Sequence, residues 1–463
     1  MSNASRAPNL LEGNIHSTLK TMTIPVVYGM ILLMTFGLVD TFFVSLLGTE
    51  QLAAISFTFP VTFTVISLNI GLGIGTSATI ARLMGAGDKS TAHGVGTGAL
   101  ILSFIMASVL AIIGFISIEP IFTLLGASEA EMPYIKDYML VWYGAGIFLS
   151  LPMVGNAVLR ANGDTKTPSM IMALGGAINA ILDPILIFGW GPIPAMGIQG
   201  AALATLIAWA IGSGQIIHLL AFKRKLIMPR MLSFSELREY SRNILKIGVP
   251  AAGANMLTPI ANGVMTAIVA GYGSAAVASW GVGGRIESIA SIMILALSMT
   301  LPPFISQNYG ASKINRVKDA YVICLKFVLF WQFAVFLVMW FLAPFIAQIF
   351  AQEKEVVNLI QLFLMIVPIG YGLQGIIILT NSSFNAMHKP MSALLLSVIR
   401  LFVFFVPISW LGSLLFELKG MFWMGVLANF LTATVAFLWF RKLLNEEMDS
   451  ISSNDTGISD TAS

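Results

Sequence analysis

The sequence predicts an all-α membrane protein with twelve transmembrane helices in two six-helix lobes, related by a pseudo-two-fold axis along the membrane normal. Three observations support this fold class. The 463 residues are 57% hydrophobic and only 10% charged, whereas soluble domains carry about 25% charged residues. Apolar stretches long enough to cross a hydrocarbon core of about 30 Å recur along the chain. The first half of the sequence also resembles the second.

Hydropathy sets the order of the elements. The predicted helices cover residues 20–47, 52–80, 93–117, 134–159, 168–190, 198–222, 244–270, 275–307, 317–343, 356–382, 390–414 and 420–441. The predicted division is a cytoplasmic arm (1–18), an N-lobe with helices 1–6 (19–222), a cytoplasmic loop (223–246), a C-lobe with helices 7–12 (247–442) and a disordered cytoplasmic tail (443–463).

Basic residues in the loops predict the orientation. Most of the 25 Lys and Arg residues fall on the side of the membrane that holds loop 223–246 and both termini, whereas the opposite side has Lys136, Lys354 and Lys419. Because cytoplasmic loops are enriched in Lys and Arg, both termini are predicted to be cytoplasmic. Cys324 is the single cysteine, so an internal disulfide is excluded. No cleavable signal peptide is recognisable, because the first apolar stretch is too long.

An internal repeat accounts for the two lobes. At one constant, ungapped offset, three residues of helix 1 and its end match three around helix 7: Pro25 with Pro250, Thr41 with Thr266, and Gly48 with Gly273. Later matches, after a short deletion, pair Pro168 with Pro390, Pro184 with Pro407 and Gly197 with Gly420. Six helices per half is an even number, so both halves enter the membrane from the same side.

Polar residues inside the predicted helices are the candidates for chemistry. Only three acidic residues lie deep within them: Asp40, Asp183 and Glu287. Asp40 and Asp183 lie at the same depth from the outer ends of helices 1 and 5, and Thr205 lies at that depth in helix 6. Asn179 precedes Asp183 by four residues, so both occupy one helix face. An ionised carboxylate at such a depth costs on the order of 2.5–3.5 kcal/mol and usually faces a cavity or a partner.

The acidic pair is predicted to bind the coupling ion. Two adjacent carboxylates cannot both remain ionised cheaply, so the pair can hold one proton or one cation such as Na⁺. The repeat replaces Asp40 by Met265 and Asp183 by Val406, which assigns ion chemistry to the N-lobe. In the alternative interpretation, Asp183 repairs the helix broken by the following proline and Asp40 bonds neighbouring backbone. The four histidines have no metal-ligand spacing, so no metal cofactor is predicted.

Two further features of the helices have alternative explanations. Pro25 is a predicted hinge in the helix that carries Asp40, although a static kink or a first-turn proline explains it equally well. Arg285 is predicted to face either the central cleft or a partner within the C-lobe. Glu287 and Arg400 are predicted to form a structural ion pair in the C-lobe.

Several segments resemble the multidrug and toxic compound extrusion (MATE) transporters. They are IPVVYGMILLMTFGLVDTFFVSLLGTEQLAAIS in helix 1, GIGTSATIARLMGAGD after helix 2, NAVLRANGDTKTP after helix 4, NAILDPILIFG in helix 5 and MGIQGAALAT in helix 6. The resemblance covers residues 15–442. It places a cation site on Asp40, Asn179, Asp183 and Thr205. It also places Phe36 where a tyrosine is often found.

The resemblance implies a function and a branch of the family. Helices 7 and 10 lack the acidic residues of NorM-like exporters, so the chain looks DinF-like, with Arg285 facing the cleft. Phe36, Arg285 and Asn156 are the candidate cleft residues. The implied function is proton- or sodium-driven export of amphipathic or cationic drugs across a bacterial inner membrane. The implied protein is a monomer that contacts lipids and binds neither nucleic acid nor an organic cofactor. Alternatives are a lipid-linked precursor flippase, another 6+6 carrier, and, from a different class, a channel or membrane enzyme.

Overall fold

The structure is a computed structural model that describes residues 8–459, apart from the side chains of Thr49, Leu52, Ala53 and residues after 450. Seven α-helices form its first half: α1 (Ile15–Ser45), α2 (Thr49–Gly85), α3 (Lys89–Leu124), α4 (Met132–Ala161), α5 (Lys166–Phe188), α6 (Gly197–His218) and α7 (Phe234–Ala270). Seven more complete it: α8 (Ser274–Ala290), α9 (Ile292–Gly310), α10 (Ile314–Phe350), α11 (Lys354–Ile366), α12 (Tyr371–Ala386), α13 (Pro390–Val398) and α14 (Val406–Ser459).

The membrane-spanning helices agree with the predicted architecture. Within residues 8–459, ten helices are long and apolar enough to cross a membrane, and the bent pair α8–α9 makes eleven. The stretch Pro390–Ser450 has 61 residues, but its helix is interrupted at Phe416 and Glu417. Gly412 and Gly420 on either side of this break contact each other's backbone, so the chain reverses there. This stretch therefore crosses twice, which gives the twelve predicted crossings.

Three predicted helices are interrupted in the structure. Predicted helix 8 is broken at Ser291 into α8 and α9, which are bent by 44°. Predicted helix 10 contains a 3₁₀ segment, Val367–Gly370, between α11 and α12. Predicted helix 11 contains the π-helical segment Ile399–Phe405 between α13 and α14. Hydropathy is insensitive to such breaks because the residues remain apolar on both sides of them.

The first compact unit, here the N-terminal unit, contains Lys20–Ala252. It includes the first part of α7, which begins at Phe234 rather than at residue 244, so half of the predicted loop 223–246 is helical. Glycines of α2 and α3 explain this extension, because they leave room for the side chains and backbone of α7. The close pairs are Gly94 with Tyr240, Gly75 with Ile244, and Gly71 with Gly248.

The second compact unit, here the C-terminal unit, contains Leu10–Leu19 together with residues from Gly253 onward. The N-terminal stretch belongs here because α9 and α10 bind its backbone. Asn308 donates to the Leu10 carbonyl over 3.0 Å, and Arg316 donates to the Gly13 carbonyl over 2.7 Å. Leu10 itself is buried. The predicted cytoplasmic arm, residues 1–18, is thus helical from Ile15 onward, and its residues 1–7 lie outside the described part.

The predicted disordered tail, residues 443–463, is corrected by the structure. Helix α14 continues to Ser459, and residues 460–463 lie outside the described part. Glu447 explains part of this extension, because it accepts a hydrogen bond from Tyr309 over 3.1 Å and pairs with Lys389 at 3.4 Å. The polar composition of the tail suggested disorder because the residues that bind Glu447 lie in distant parts of the chain and cannot be recognised from the tail itself.

The internal repeat is visible in the backbone. Gly48 precedes α2 with a φ of 133°, and its repeat partner Gly273 precedes α8 with a φ of 99°. Positive φ values of this kind are readily adopted only by glycine. The matched glycines therefore make the same sharp turn at the same place in both halves.

Candidate functional site

Helices α1 and α5 pack side by side and in the same direction within the N-terminal unit. Small residues permit this close approach: a Cβ on Gly29 would lie 2.9 Å from the Ser169 Cβ, and a Cβ on Gly176 would overlap the Phe36 ring. Contacts recur along both helices in the same order: Thr165 with Met22, Ser169 with Gly29, Gly176 with Phe36, and Phe188 with Phe43. This packing fixes the register between the two helices.

The register brings Asp40 of α1 next to Asp183 of α5. Their carboxyl groups lie within interaction distance of each other. Asp183 is completely buried, and its Oδ2 has no hydrogen-bond partner among the described residues. Asp40 is only partly buried. The two acidic residues selected from the sequence by depth therefore form one pair, in which Asp183 is buried and Asp40 is partly exposed.

Asn179 and Thr205 complete a polar cluster around Asp183. The Asn179 amide nitrogen lies 3.3 Å from Asp183 Oδ1 and 3.3 Å from Thr205 Oγ1. Thr205 donates its own hydroxyl hydrogen to the Ala201 carbonyl over 3.1 Å. Helix α6, which carries Thr205, lies close to α5 because Gly200 packs directly on the Leu186 backbone. All four predicted cation-site residues thus lie in one cluster.

Tyr138 of α4 was not predicted from the sequence, yet it lies within electrostatic range of both Asp40 and Asp183. Its phenol is the only aromatic hydroxyl that the described residues show interacting with both carboxyl groups. Hydropathy gives no signal for this contact, because α4 meets the pair only through tertiary packing. Phe36 of α1 has no hydroxyl, whereas Tyr138 places a phenol near the acidic pair from α4.

The arrangement has the chemistry of a cation or proton site. Two carboxyl groups, one amide and one hydroxyl converge around the buried Asp183, and two neighbouring carboxylates repel each other when both are ionised. One proton shared by the pair, or one hard cation such as Na⁺ held by its oxygen atoms, relieves that repulsion. Asp183 Oδ2 is an unused acceptor that either ion would engage.

The other predicted residues occupy different places. Pro25 is in the interior of α1, ten residues after its start at Ile15, so the first-turn explanation is wrong. Phe36 lies one turn before Asp40 and packs on α5. Asn156 of α4 is buried, and its Oδ1 has no hydrogen-bond partner in the described part of the chain. Arg285 lies on α8 in the C-terminal unit with an exposed side chain.

The predicted ion pair between Glu287 and Arg400 is not formed as such. Glu287 contacts the side chain of Gln374 and lies within electrostatic range of Arg400 and Tyr371, but no direct salt bridge joins it to Arg400 among the described residues. Arg400 Nε and the Tyr371 hydroxyl are buried and have no partner there. Arg400 lies in the π-helical segment Ile399–Phe405, which departs from the regular α-helix that the sequence predicted there.

Comparison with known proteins gives consistent results. The MatE family model matches residues 25–185 and 250–411, one match for each half of the internal repeat. A protein of Shewanella oneidensis named "FAD transporter" is 42% identical over 412 residues, which cover 89% of this chain and 91% of that protein. The multidrug export protein MepA of Staphylococcus haemolyticus is 27% identical over 441 residues, covering 94% and 95% of the two chains.

Solved structures show the same architecture. The Vibrio cholerae MATE transporter VcmN, crystallised in its bent form, superposes with a TM-score of 0.89 at 34% identity, covering 94% of this chain and 98% of that one. The resemblance therefore extends over both units. Proteins of this family are transporters rather than enzymes. The chain is a multi-pass membrane transporter of the MATE family.

Proposed function

We propose that the chain is a secondary active exporter that couples substrate movement to a proton or Na⁺ bound at the Asp40–Asp183 pair. The observation that carries this proposal is the contact between the two carboxyl groups, with Asp183 completely buried. Such intramembrane carboxyl groups are expensive and are retained for ion pathways. The lack of acidic residues in predicted helices 7 and 10 favours the DinF-like branch.

The coupling step is a population shift. Binding of a proton removes one charge from the cluster, so α1 no longer requires the same polar surroundings at Asp40. Pro25 weakens the hydrogen-bond ladder of α1 because proline has no backbone N–H, and this makes α1 the element most able to bend. An ion shifts the balance between two conformations only by its different affinity for them. We infer that protonation favours a bent α1 and substrate release by alternating access.

The substrate class has two candidates. Relatives named as multidrug exporters, such as MepA, favour amphipathic or cationic drugs. The more similar Shewanella oneidensis relative, 42% identical, is named an FAD transporter. FAD is an anionic dinucleotide, so the two candidates have opposite charge. Export of an anion is assisted by a membrane potential that is negative inside, by about 2.3 kcal/mol per charge and 100 mV, whereas export of a cation is opposed by it.

The coupling proposal is tested with Asp40→Asn. This change removes one titrating carboxyl group at little steric cost, so ion-driven export is expected to fall to background with normal membrane insertion. Asp319→Asn, the same change at an exposed site of α10, is the matched control and should retain export. Wild-type transport by Asp40→Asn at equal expression would refute the pair as the coupling site. Repeating the assay with and without Na⁺ separates the two ions.

The substrate is tested in inside-out vesicles, with either FAD or a fluorescent organic cation added to the external medium. If FAD is the substrate, its uptake should depend on membrane potential and fall when valinomycin and K⁺ collapse that potential. If cationic drugs are the substrate, uptake should depend on the pH gradient and fall with nigericin. Asp40→Asn vesicles provide the background for both compounds.

We further propose that the chain resides in a bacterial inner membrane as a monomer with both termini cytoplasmic. Ser128 and Ser235 are exposed and lie on loops or helix ends predicted to be on opposite sides. On a Cys324→Ala background, a cysteine at 128 should react with an external impermeant reagent, and one at 235 should not. The reverse pattern would overturn the orientation.

A further inference from the structure

The first turns of α7 have two different faces. Tyr240, Ile244 and Gly248, spaced four residues apart, are buried against α2 and α3. Arg238, Arg242 and Lys246 have the same spacing but are exposed. Residues at i, i+4 and i+8 lie on one face of a helix, so the three cations form a basic stripe, here called the α7 stripe. It extends over about 12 Å at 1.5 Å per residue.

The side chains of the α7 stripe are not neutralised by acidic side chains of the described residues. Within the described residues none of its three side chains takes part in a salt bridge. Other arginines of the same connecting segment are paired: Arg224 binds Asp164 at 2.7 Å, and Arg230 binds Glu236 at 2.5 Å. The segment therefore contains partners for some of its cations and leaves the α7 stripe unpaired.

The surroundings of the α7 stripe suit a membrane surface. Its side chains, with Ser241 and Asn243, line an open cavity of about 1060 Å³, and Glu239 is the single acidic residue on that wall. Val249, one turn further along α7, is 57% exposed, so the exposed face changes there from basic to apolar. Met231 and Phe234 before the stripe are also almost fully exposed. Exposed apolar side chains beside basic ones are typical of segments at the lipid headgroup level.

We propose that the α7 stripe binds the phosphate group of an anionic membrane phospholipid. The guanidinium groups of Arg238 and Arg242 can each donate two hydrogen bonds to phosphate oxygens, and Lys246 adds a third positive charge. Basic clusters directly adjoining a transmembrane helix attract anionic lipids in this way. A bound lipid would fix the end of α7 at the membrane surface, close to the packing of α7 on α2 and α3.

A lipid site formed by the α7 stripe differs from the general attraction that any excess of basic residues in cytoplasmic loops exerts on anionic lipids. For a general positive field, the loss of lipid binding on substitution depends only on how many charges are removed. For a lipid site, it depends on which residues are substituted. Each basic group near an anionic membrane surface contributes about fivefold to binding, so loss of three should weaken binding about a hundredfold. A field effect would show the same loss for any three exposed cations.

The test compares two triple variants with equal change of charge. The site variant carries Arg238→Gln, Arg242→Gln and Lys246→Gln, and the control carries Lys89→Gln, Lys166→Gln and Lys318→Gln, all at exposed lysines. Purified protein in detergent is titrated with phosphatidylglycerol while its thermal unfolding midpoint is recorded, and phosphatidylcholine and glycerol 3-phosphate serve as other ligands.

Wild-type protein and the control variant should be stabilised by phosphatidylglycerol, and the site variant should need about a hundredfold more lipid for the same shift. Equal loss in the two triple variants, or stabilisation by phosphatidylcholine as strong as by phosphatidylglycerol, would overturn the proposal. Stabilisation by glycerol 3-phosphate at equal concentration would also overturn it, because the site would then bind a soluble anion. If the site variant does not fold in detergent, Arg242→Gln alone should weaken binding about fivefold.

Discussion

The acidic pair of the N-terminal unit and the equivalent positions of the C-terminal unit have opposite surroundings. Asp40 and Asp183 lie in a polar cluster, whereas their repeat partners, Met265 and Val406, belong to an apolar cluster. Met265 is 1% exposed. The aromatic rings of that cluster pack closely on one another: Trp280 with Phe363 at 5.8 Å and Phe363 with Phe422 at 5.4 Å. The same helical positions therefore support an ion site in one half and a packed core in the other.

The C-terminal unit has a polar cluster of its own, but at a different place. The repeat matches Pro168 with Pro390 and Pro184 with Pro407, so the second half is one residue longer in this interval. The π-helical segment Ile399–Phe405 lies in that interval and accommodates the extra residue. A π-bulge is such a one-residue insertion. The π-helical segment carries Arg400, which lies within electrostatic range of Glu287, and Glu287 in turn contacts the side chain of Gln374.

The difference separates the features that both halves need for folding from those that one half needs for function. Helix order and sharp glycine turns are common to both halves, because each half must cross the membrane in the same way. Ionisable side chains are not required for that purpose and are costly in hydrocarbon. An acidic pair at these matched positions in one half alone indicates a requirement of function, and Met265 and Val406 fill the equivalent space in the other half with apolar atoms.

The largest expected effect comes from copying the C-terminal residues into the N-terminal unit. The double variant Asp40→Met and Asp183→Val should lose all ion-driven export. Its unfolding free energy should be unchanged or raised, by up to about 4 kcal/mol, because replacing buried ionic groups by packed apolar ones is often stabilising. Export and thermal unfolding are measured on the same preparation. An active double variant would remove the functional distinction between the halves.

The reciprocal change tests the C-terminal unit. Met265→Asp places an unpaired carboxylate among buried aromatic and aliphatic side chains, and an uncompensated buried charge costs about 3–5 kcal/mol. A large fall in the unfolding midpoint is therefore expected. Met265→Leu, which retains apolar packing, is the control and should cost less than about 1.5 kcal/mol. A stable Met265→Asp variant would show that this cluster accepts charge as the N-terminal unit does.

The sequence predicted much of this comparison, but only where a pattern repeats along the chain. Helix number, the two halves and the positions of Asp40, Asn179, Asp183 and Thr205 follow from hydropathy, depth and helical spacing. These quantities depend on residues close in sequence. The contact between Asp40 and Asp183 additionally needs the register of α1 against α5, which Gly29 and Gly176 set through tertiary packing.

Features that depend on contacts distant in sequence were missed. Tyr138 reaches the acidic pair from α4. The helical tail depends on Glu447 meeting Tyr309 and Lys389, from two other parts of the chain. The extension of α7 to Phe234 depends on glycines of α2 and α3. In each case the local sequence has no pattern that predicts the feature, and contacts with distant residues determine the structure.

A smaller effect is expected where α1 meets α5. Gly176→Ala would bring a methyl group into the Phe36 ring, one turn from Asp40. Overpacking of this kind costs about 1–3 kcal/mol, and displacement of α1 should slow export. The adjacent Gly175 has open space within 4 Å, so Gly175→Ala should be neutral or stabilising by up to about 1 kcal/mol. Equal behaviour of the two variants would mean that this contact does not set the register.

The smallest effect concerns the starts of α4 and α11, which follow matching loops in the two halves. Glu131 precedes α4 and accepts hydrogen bonds from the Ser128 N–H and hydroxyl, both at 2.8 Å. These bonds favour the ionised form and lower the pKa of Glu131 below its ordinary value. Glu353, which precedes α11, has Phe350 three residues before it in place of a serine, so that position has no hydroxyl to donate. The hydrogen bonds from Ser128 to Glu131 should therefore make a pH-dependent contribution to stability.

The sign of that dependence follows from proton linkage. Because the folded pKa of Glu131 is depressed, its contribution is present above the ordinary glutamate pKa and is lost as pH falls through the folded value. Glu131→Gln should therefore unfold at a slightly lower temperature than wild type at about pH 7, and the gap should close towards about pH 3. A gap for Glu131→Gln that is independent of pH would mean that the carboxylate charge does not stabilise the start of α4.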